Sequence, residues 1–354
     1  MSNKDYNTEK EILQDLKNGK KKPWRAKKVK NLILADSFKR LGYDKKSGRC
    51  RFCGSALVFL KSLKTGEKTL KSANFCRERL CPMCQWRRSL KVFHQVSKVM
   101  DVAQQRHKDY VPIFLTLTLK NCLASELSKM LDEIFEGWKN LNDHRKIRKT
   151  VKGWFRALEV TYDGDKTISE YRYIRRKEEY DRAGVKPGNP NLNFDTFHPH
   201  IHAIMMVEKS YFKGKDYMHT MEWVKMWRTA MGLDYDPICD VRGVKNVKGK
   251  RKEVAEVAKY TIKDSEFLTK DKKLTDKLVE VLGSSLKNRR LFAFGGVLKQ
   301  IAKELDTEEP DKGNLIHIDE ESFREDIATV LEIYRWNFGL ADYVRDEQDS
   351  KKKN

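Results

Sequence analysis

The stretch HPHIHAIMMV, residues 198–207, constrains the fold more than any other part of the chain. His198, His200 and His202 recur at every second position, and the segment then turns apolar. Period two is the repeat of a β-strand, so the three imidazoles share one face while Ile201 and Ala203 take the other. The apolar continuation marks the strand as buried. A lone histidine in such a place is ordinarily a satisfied core or surface residue. Three of the chain's eight, at this spacing, favour a metal instead, because neutral imidazole ligates divalent ions. An oxygen ligand beside them would leave positions open for water and substrate. The segment GWFRALEVTYDGD (153–165) reads as another strand and supplies a candidate: Glu159, between Leu158 and Val160, is a carboxylate that burial penalises unless a cation meets it.

A second constellation lies upstream. Five of the seven cysteines fall in CRFC (50–53) and CRERLCPMC (76–84). The pairs Cys50/Cys53 and Cys81/Cys84 have the spacing of two knuckles that close a tetrahedral structural zinc site, with Cys76 as an alternative ligand. Cys122 and Cys239 are isolated and read as core residues. The second knuckle runs into a predicted helix, QWRRSLKVFHQVSKVM (85–100), basic near its start at Arg87, Arg88 and Lys91. Such a knot is either a DNA-contacting module or a structural staple.

Lys and Arg number 73 against 51 Asp and Glu, a net charge of +22 that makes nucleic acid the expected partner. The basic clusters at 17–30, 144–152 and 242–252, with Trp24 and Trp154 nearby, suit phosphate contacts with some base stacking; a solvated charged face is the alternative. No apolar run reaches the roughly 20 residues of a membrane span, and the N-terminus lacks the character of a signal peptide. A cytoplasmic protein without membrane partners is expected.

The pattern predicts helices over KEILQDL, NLILADSFKRLGY, 125–151 and 251–268, a hairpin through ALVFLKSLKTGEKTLKSANFC, and a strand at YVPIFLTLTLKN. Residues 166–195 read as an exposed excursion between strands, 270–350 as mostly helical, and RRLFAFGG (289–296) stays unassigned. Three regions follow: 1–109, an N-terminal basic and zinc-knuckle module; 110–270, a domain that carries the histidine strand; and 271–354, a mostly helical C-terminal region.

On the predicted helix EVAEVAKYTIKDSE, Glu256 and Tyr260 stand at i and i+4, with Lys263 three residues on. A tyrosine can act as a nucleophile where a cation favours its phenolate, although one flanked by lysines on an amphipathic helix is more often packing. FLTLT (114–118), the His200–Ile201–His202 strand and the Tyr260/Lys263 helix, in this order, resemble the HUH endonucleases. Within that superfamily CRERLCPMCQWRRSLK, FLTLTLKN, LEVTY, HPHIHAIMMV and EVAKYTIK are similar to the rolling-circle replication initiators of small plasmids from Gram-positive bacteria. The likeness spans about residues 50–300.

This resemblance implies an α+β fold: a central antiparallel sheet with the histidine strand in its middle and packed helices, beside the zinc module and the helical C-terminal region. It implies that His200, His202 and Glu159 hold Mg2+ or Mn2+ at the scissile phosphate. Tyr260 would attack, leaving a 5′-phosphotyrosine and a 3′-hydroxyl. Lys263 would neutralise phosphate or phenolate, and Glu256 would activate water in termination. His198 would support the site or contact DNA. The implied partners are plasmid origin DNA, single-stranded at the nick, and a host helicase and DNA polymerase. A single-tyrosine transposase of the same superfamily is an alternative. A non-catalytic zinc-dependent nucleic-acid-binding regulator is another, and it leaves Glu159, Glu256 and Tyr260 without a task.

Overall fold

The computed structural model describes residues 11–17, 19–244, 247–259, 261–307, 309, 313–318 and 328–346, with only the backbone of 247–251. The chain is α+β and forms two compact units, Met1–Lys91 with Gly313–Asn354, and Val92–Lys312.

The first unit opens with β1 (Leu16–Lys17) and β2 (Lys20–Lys21), then α1 (Trp24–Arg40) and α2 (Asp44–Phe52). The hairpin β3 (Ala56–Ser62) and β4 (Lys68–Ala73) turns at KTGEK as expected. The long helix α3 (Pro82–Arg106) contains the boundary between the units. KEILQDL is not a helix over its described residues. Ile12 bridges Val344, Leu13 N–H donates to the Tyr343 carbonyl, and Leu13 is buried, because a free sheet edge offers these residues more than an isolated short helix does.

In the second unit the elements run β5 (Tyr110–Thr118), α4 (Leu127–Asp143), α5 (Arg145–Thr150), β6 (Val151–Asp163), α6 (Glu170–Arg175), α7 (Lys177–Arg182), β7 (Thr196–Glu208), α8 (Thr220–Met231) and β8 (Cys239–Gly243). There follow α9 (Val247–Val257), α10 (Asp264–Phe267), α11 (Lys272–Ser285), β9 (Phe292–Gly295) and α12 (Gly296–Glu304). The expected helix 125–151 breaks at His144, which is extended (ψ 130°) and caps α5 by accepting from Lys146 N–H. RRLFAFGG supplies β9.

The five strands form an antiparallel sheet of order β8-β5-β7-β6-β9, so the histidine strand β7 is central. Ile201 to Val207 are fully buried or nearly so, the pattern of a strand covered on both faces. On the face opposite the histidines lies α4, whose Leu127, Leu131, Ile134, Trp138 and Leu141 form one buried stripe at helical spacing. Its Phe135 ring stacks under the Arg156 guanidinium, and Trp138 meets Trp154 edge-on. Gly153 lets α12 approach β6: a Cβ there would stand 2.8 Å from the Leu298 backbone nitrogen.

Beyond the second unit, β10 (Thr329–Asn337) and β11 (Asp342–Arg345) complete the first unit's sheet, order β11-β10-β3-β4. Among its described residues the region 271–354 is therefore not mostly helical, and it is divided between the two units instead of forming one of its own. The ladder β10–β3 carries the physical reason: seven residue pairs join segments some 270 positions apart, a long-range pairing that local periodicity does not announce. It is reinforced by Glu332, buried and ion-paired to Lys68 (2.8 Å) and Lys61 (3.2 Å).

Candidate metal centres

Strand register builds the first centre. On one face of the sheet, Glu159 of β6 stands opposite His200 of β7, and Thr116 of β5 opposite His202. The Nε2 atoms of His200 and His202 lie 3.4 and 3.0 Å from the same oxygen, Glu159 Oε2, and all three residues are at most 8 % exposed. The outer ring nitrogens are engaged elsewhere. His200 Nδ1 donates to the His198 carbonyl (3.2 Å) and His202 Nδ1 pairs with the Thr116 hydroxyl (3.0 Å). The His198 carbonyl fixes the ring of His200 and the Thr116 hydroxyl that of His202; such outer partners orient the imidazoles of metal centres. Burial alone would raise the Glu159 carboxyl. Its hydrogen bonds to His200 and His202 outweigh that and hold it well below the usual carboxylate range, so it is ionised. Two nitrogens and one anionic oxygen, all within ligand-sharing distance, fit a divalent ion.

His198 lies on the same face, half-buried, its ring 5.2 Å from that of His200 but outside the ligand cluster. Burial and the neighbouring His200 push its imidazole down to about 4. Glu256, near the end of α9, brings Oε1 to 4.0 Å from His202 Nε2 and is ion-paired with Lys259. Tyr260 lies outside the described residues. The expected helix 251–268 ends at Val257, so Glu256 and Lys263 do not share one helix. Past it the Thr261 carbonyl accepts from Val160 N–H (2.6 Å) and Ile262 is fully buried, so pairing with the free edge of β6 overrides helix propensity. Lys263 precedes α10, half-exposed, and pairs with Glu266 at 3.4 Å.

The second centre lies in the first unit, where α2, the segment after β4 and the start of α3 gather five thiols. Cys53, Cys76, Cys81 and Cys84 have sulfurs within 4.8 Å of one another. The sequence-based set had Cys50 in place of Cys76; Cys50 Sγ stands 3.8 Å from Cys76 Sγ, beside the four. The reason is local. Arg77 takes a left-handed backbone (φ 59°), and the N–H groups of Cys76, Arg77 and Cys84 donate to the sulfurs of Cys53, Cys84 and Cys81 at 3.3–3.4 Å. Hydrogen bonds from Cys50 and Cys53 push the Cys76 thiol below its usual range. Backbone donors on sulfur and a ready thiolate fit a thiolate-bound metal.

Helix α1 adds a cation. Lys28, fully buried, donates from Nζ to the carbonyls of Arg51 (2.6 Å) and Cys53 (2.9 Å). Burial lowers its ammonium to about 8 although the surrounding Cys53, Cys81, Cys76 and Cys50 favour the charge. Sequence reading missed Lys28 and Thr116. Both left a signal: Trp24, Lys28, Asn31, Ala35 and Phe38 form the buried stripe of α1, and FLTLT puts Thr116 on one side of an alternating strand.

The basic clusters are partly spoken for. Trp24 is buried and donates to Asp15, so it presents no stacking surface, and Lys146, Lys149 and Lys152 pair with Glu222, Asp216 and Glu208. Among the described residues no helix is long and apolar enough to cross a membrane.

Residues 67–344 match the family Rep_1, described as replication protein. A "Protein rep" of Bacillus amyloliquefaciens is 34 % identical, covering 97 % of this chain and 98 % of its own length. Another, of Streptococcus pneumoniae, is 32 % identical over 95 % and 96 %. A third, of Lentilactobacillus hilgardii, is 32 % identical over 94 % and 98 %. No solved structure matches the chain significantly.

Proposed function

The chain belongs to the Rep_1 family of replication proteins, and from that premise we propose that it initiates plasmid replication by nicking one strand of origin DNA. The observation that carries this reading is the convergence of two Nε2 atoms on Glu159 Oε2 while Thr116 and the His198 carbonyl occupy the outer nitrogens. A central histidine strand in a five-stranded antiparallel sheet also suits the HUH endonuclease fold.

Glu159, His200 and His202 would hold Mg2+ or Mn2+, which supplies a Lewis acid for a phosphodiester. Tyr260 attacks the phosphorus: its phenol gives up its proton as a P–O bond forms to the phenolic oxygen, the bond to the 3′-oxygen breaks, and that oxygen takes up a proton in exchange. The products are a 5′-phosphotyrosine and a 3′-hydroxyl that a polymerase extends, with a helicase opening the duplex ahead. Glu256, whose Oε1 lies 4.0 Å from His202 Nε2, would take a proton from water in the terminating hydrolysis. Lys263, paired with Glu266 at 3.4 Å, would neutralise phosphate or phenolate only on leaving that partner. The thiol cluster would bind Zn2+ as a structural centre.

The test mixes the protein with Mn2+ and a supercoiled plasmid carrying its gene and looks for a covalent protein–DNA adduct on denaturing gels. An adduct formed by the native protein and lost in Tyr260→Phe supports the reading. Tight DNA binding with neither adduct nor relaxation would instead favour the non-catalytic regulator.

A further inference from the structure

The segment joining β6 to β7 is a built element. It folds through α6 and α7 and is fastened by Arg172, whose guanidinium grips both oxygens of Asp163 and donates to Tyr180 Oη at 3.0 Å. Asn191 Nδ2 ties the same Asp163 to the Asp165 carbonyl, each at 2.7 Å. Beneath this flap lies a pocket of about 490 Å3, within the size range of small-molecule sites. Thr161 and His198 form part of its wall, and they face each other in the sheet one like-facing pair along from Glu159 and His200. Two residues along a strand span about 7 Å. That is about one nucleotide step in an extended single strand, so a chain whose phosphate meets Glu159 and the histidines would set its neighbouring nucleotide at this pocket.

The lining suits such an occupant. His198 gives a flat ring, and Arg176, 3.8 Å from Glu179, gives a cation. Asp165 and Asn193 line the same space, exposed, with no side-chain hydrogen bond or ion pair among the described residues. A carboxylate and a carboxamide recognise the donor and acceptor edge of a base, and that edge is free only in an unpaired nucleotide. A second metal is a poor alternative, since these groups do not cluster as ligands do.

Resting on the nicking reading above, we infer that this pocket receives the nucleotide adjoining the scissile phosphate and reads its base through Asp165 and Asn193. The site therefore selects sequence at the nick itself.

The test begins once the nick has been mapped on the plasmid. Fluorescein-labelled single strands spanning it, each with one flanking nucleotide made abasic, are titrated by anisotropy without Mg2+ or Mn2+; adduct formation is followed separately with Mn2+. With the native protein, one position next to the nick loses about tenfold in affinity when abasic, a loss typical of base-edge hydrogen bonds. The double variant Asp165→Ala/Asn193→Ala binds the intact and that abasic strand alike. Adducts accompanied by equal affinities at every flanking position, or a variant that keeps the native penalty, would overturn the pocket while leaving the nicking reading intact. Failure of any adduct to form, with Tyr260 present, removes the nicking reading and this inference together.

Discussion

Replacing Thr116 by valine tests the metal centre without touching a ligand. The hydroxyl lies 3.0 Å from His202 Nδ1, and the other nitrogen of that ring stands 3.0 Å from Glu159 Oε2, so Thr116 sets the direction of one of three donor atoms. Its backbone is held between β7 and β8, in register with His202 and Asp240, and valine favours strands; the fold should persist. Loss of an outer partner of this kind typically weakens a metal centre about 10- to 100-fold. That corresponds to roughly 1.4 to 2.8 kcal/mol. The assay is single-turnover nicking against Mn2+ concentration, paired with calorimetric Mn2+ titration. The half-saturating Mn2+ should rise by about 10- to 100-fold, while the rate at saturation stays near the native one. Unchanged Mn2+ affinity, or a loss of rate that excess Mn2+ does not restore, would refute the argument that Thr116 acts by orienting His202.

Other consequences follow from the first unit and from the approach of α12 to the sheet. Cys76→Ser should reduce tightly bound zinc to well under one per chain, whereas Cys50→Ser should leave it near one; metal analysis after gel filtration distinguishes them. Lys28→Met, which removes the buried ammonium from the carbonyls of Arg51 and Cys53, should speed zinc loss to a chromogenic chelator, and an unchanged release rate would argue against its supporting role. Burial would raise Glu332, but hydrogen bonds from Lys68, Tyr334 and Lys61 hold it below its ordinary value. Its contribution is therefore complete above the unfolded value, about 4.3, and is lost as pH falls through the lower folded one. Glu332→Gln should cost about 3 kcal/mol near neutrality by leaving the buried Lys68 without its counter-charge. Thermal unfolding should show that difference shrinking in acid. Gly153→Ala should cost about 2 kcal/mol by forcing α12 off β6, read in the same experiment.

Local periodicity was enough for the elements whose partners are implied by their own pattern. The alternation of HPHIHAIMMV and the stripe of Leu127, Leu131, Ile134 and Trp138 each state which face is buried, because side-chain direction repeats with the backbone. The same alternation put His200 and His202 on one side and marked Glu159 as a carboxylate in need of a cation. Chain order and residue type could not say which strands pair. Register across β5, β7 and β6 decided that Glu159 meets His200 and that Thr116 meets His202. Long-range pairing took the C-terminal strands to β3, a hydrogen bond from Val160 ended the helical run before Ile262, and a left-handed Arg77 exchanged Cys76 for Cys50. In each case the deciding hydrogen bonds come from residues outside the local repeat, whose free energy exceeds the few tenths of a kcal/mol per residue that separate one local conformation from another.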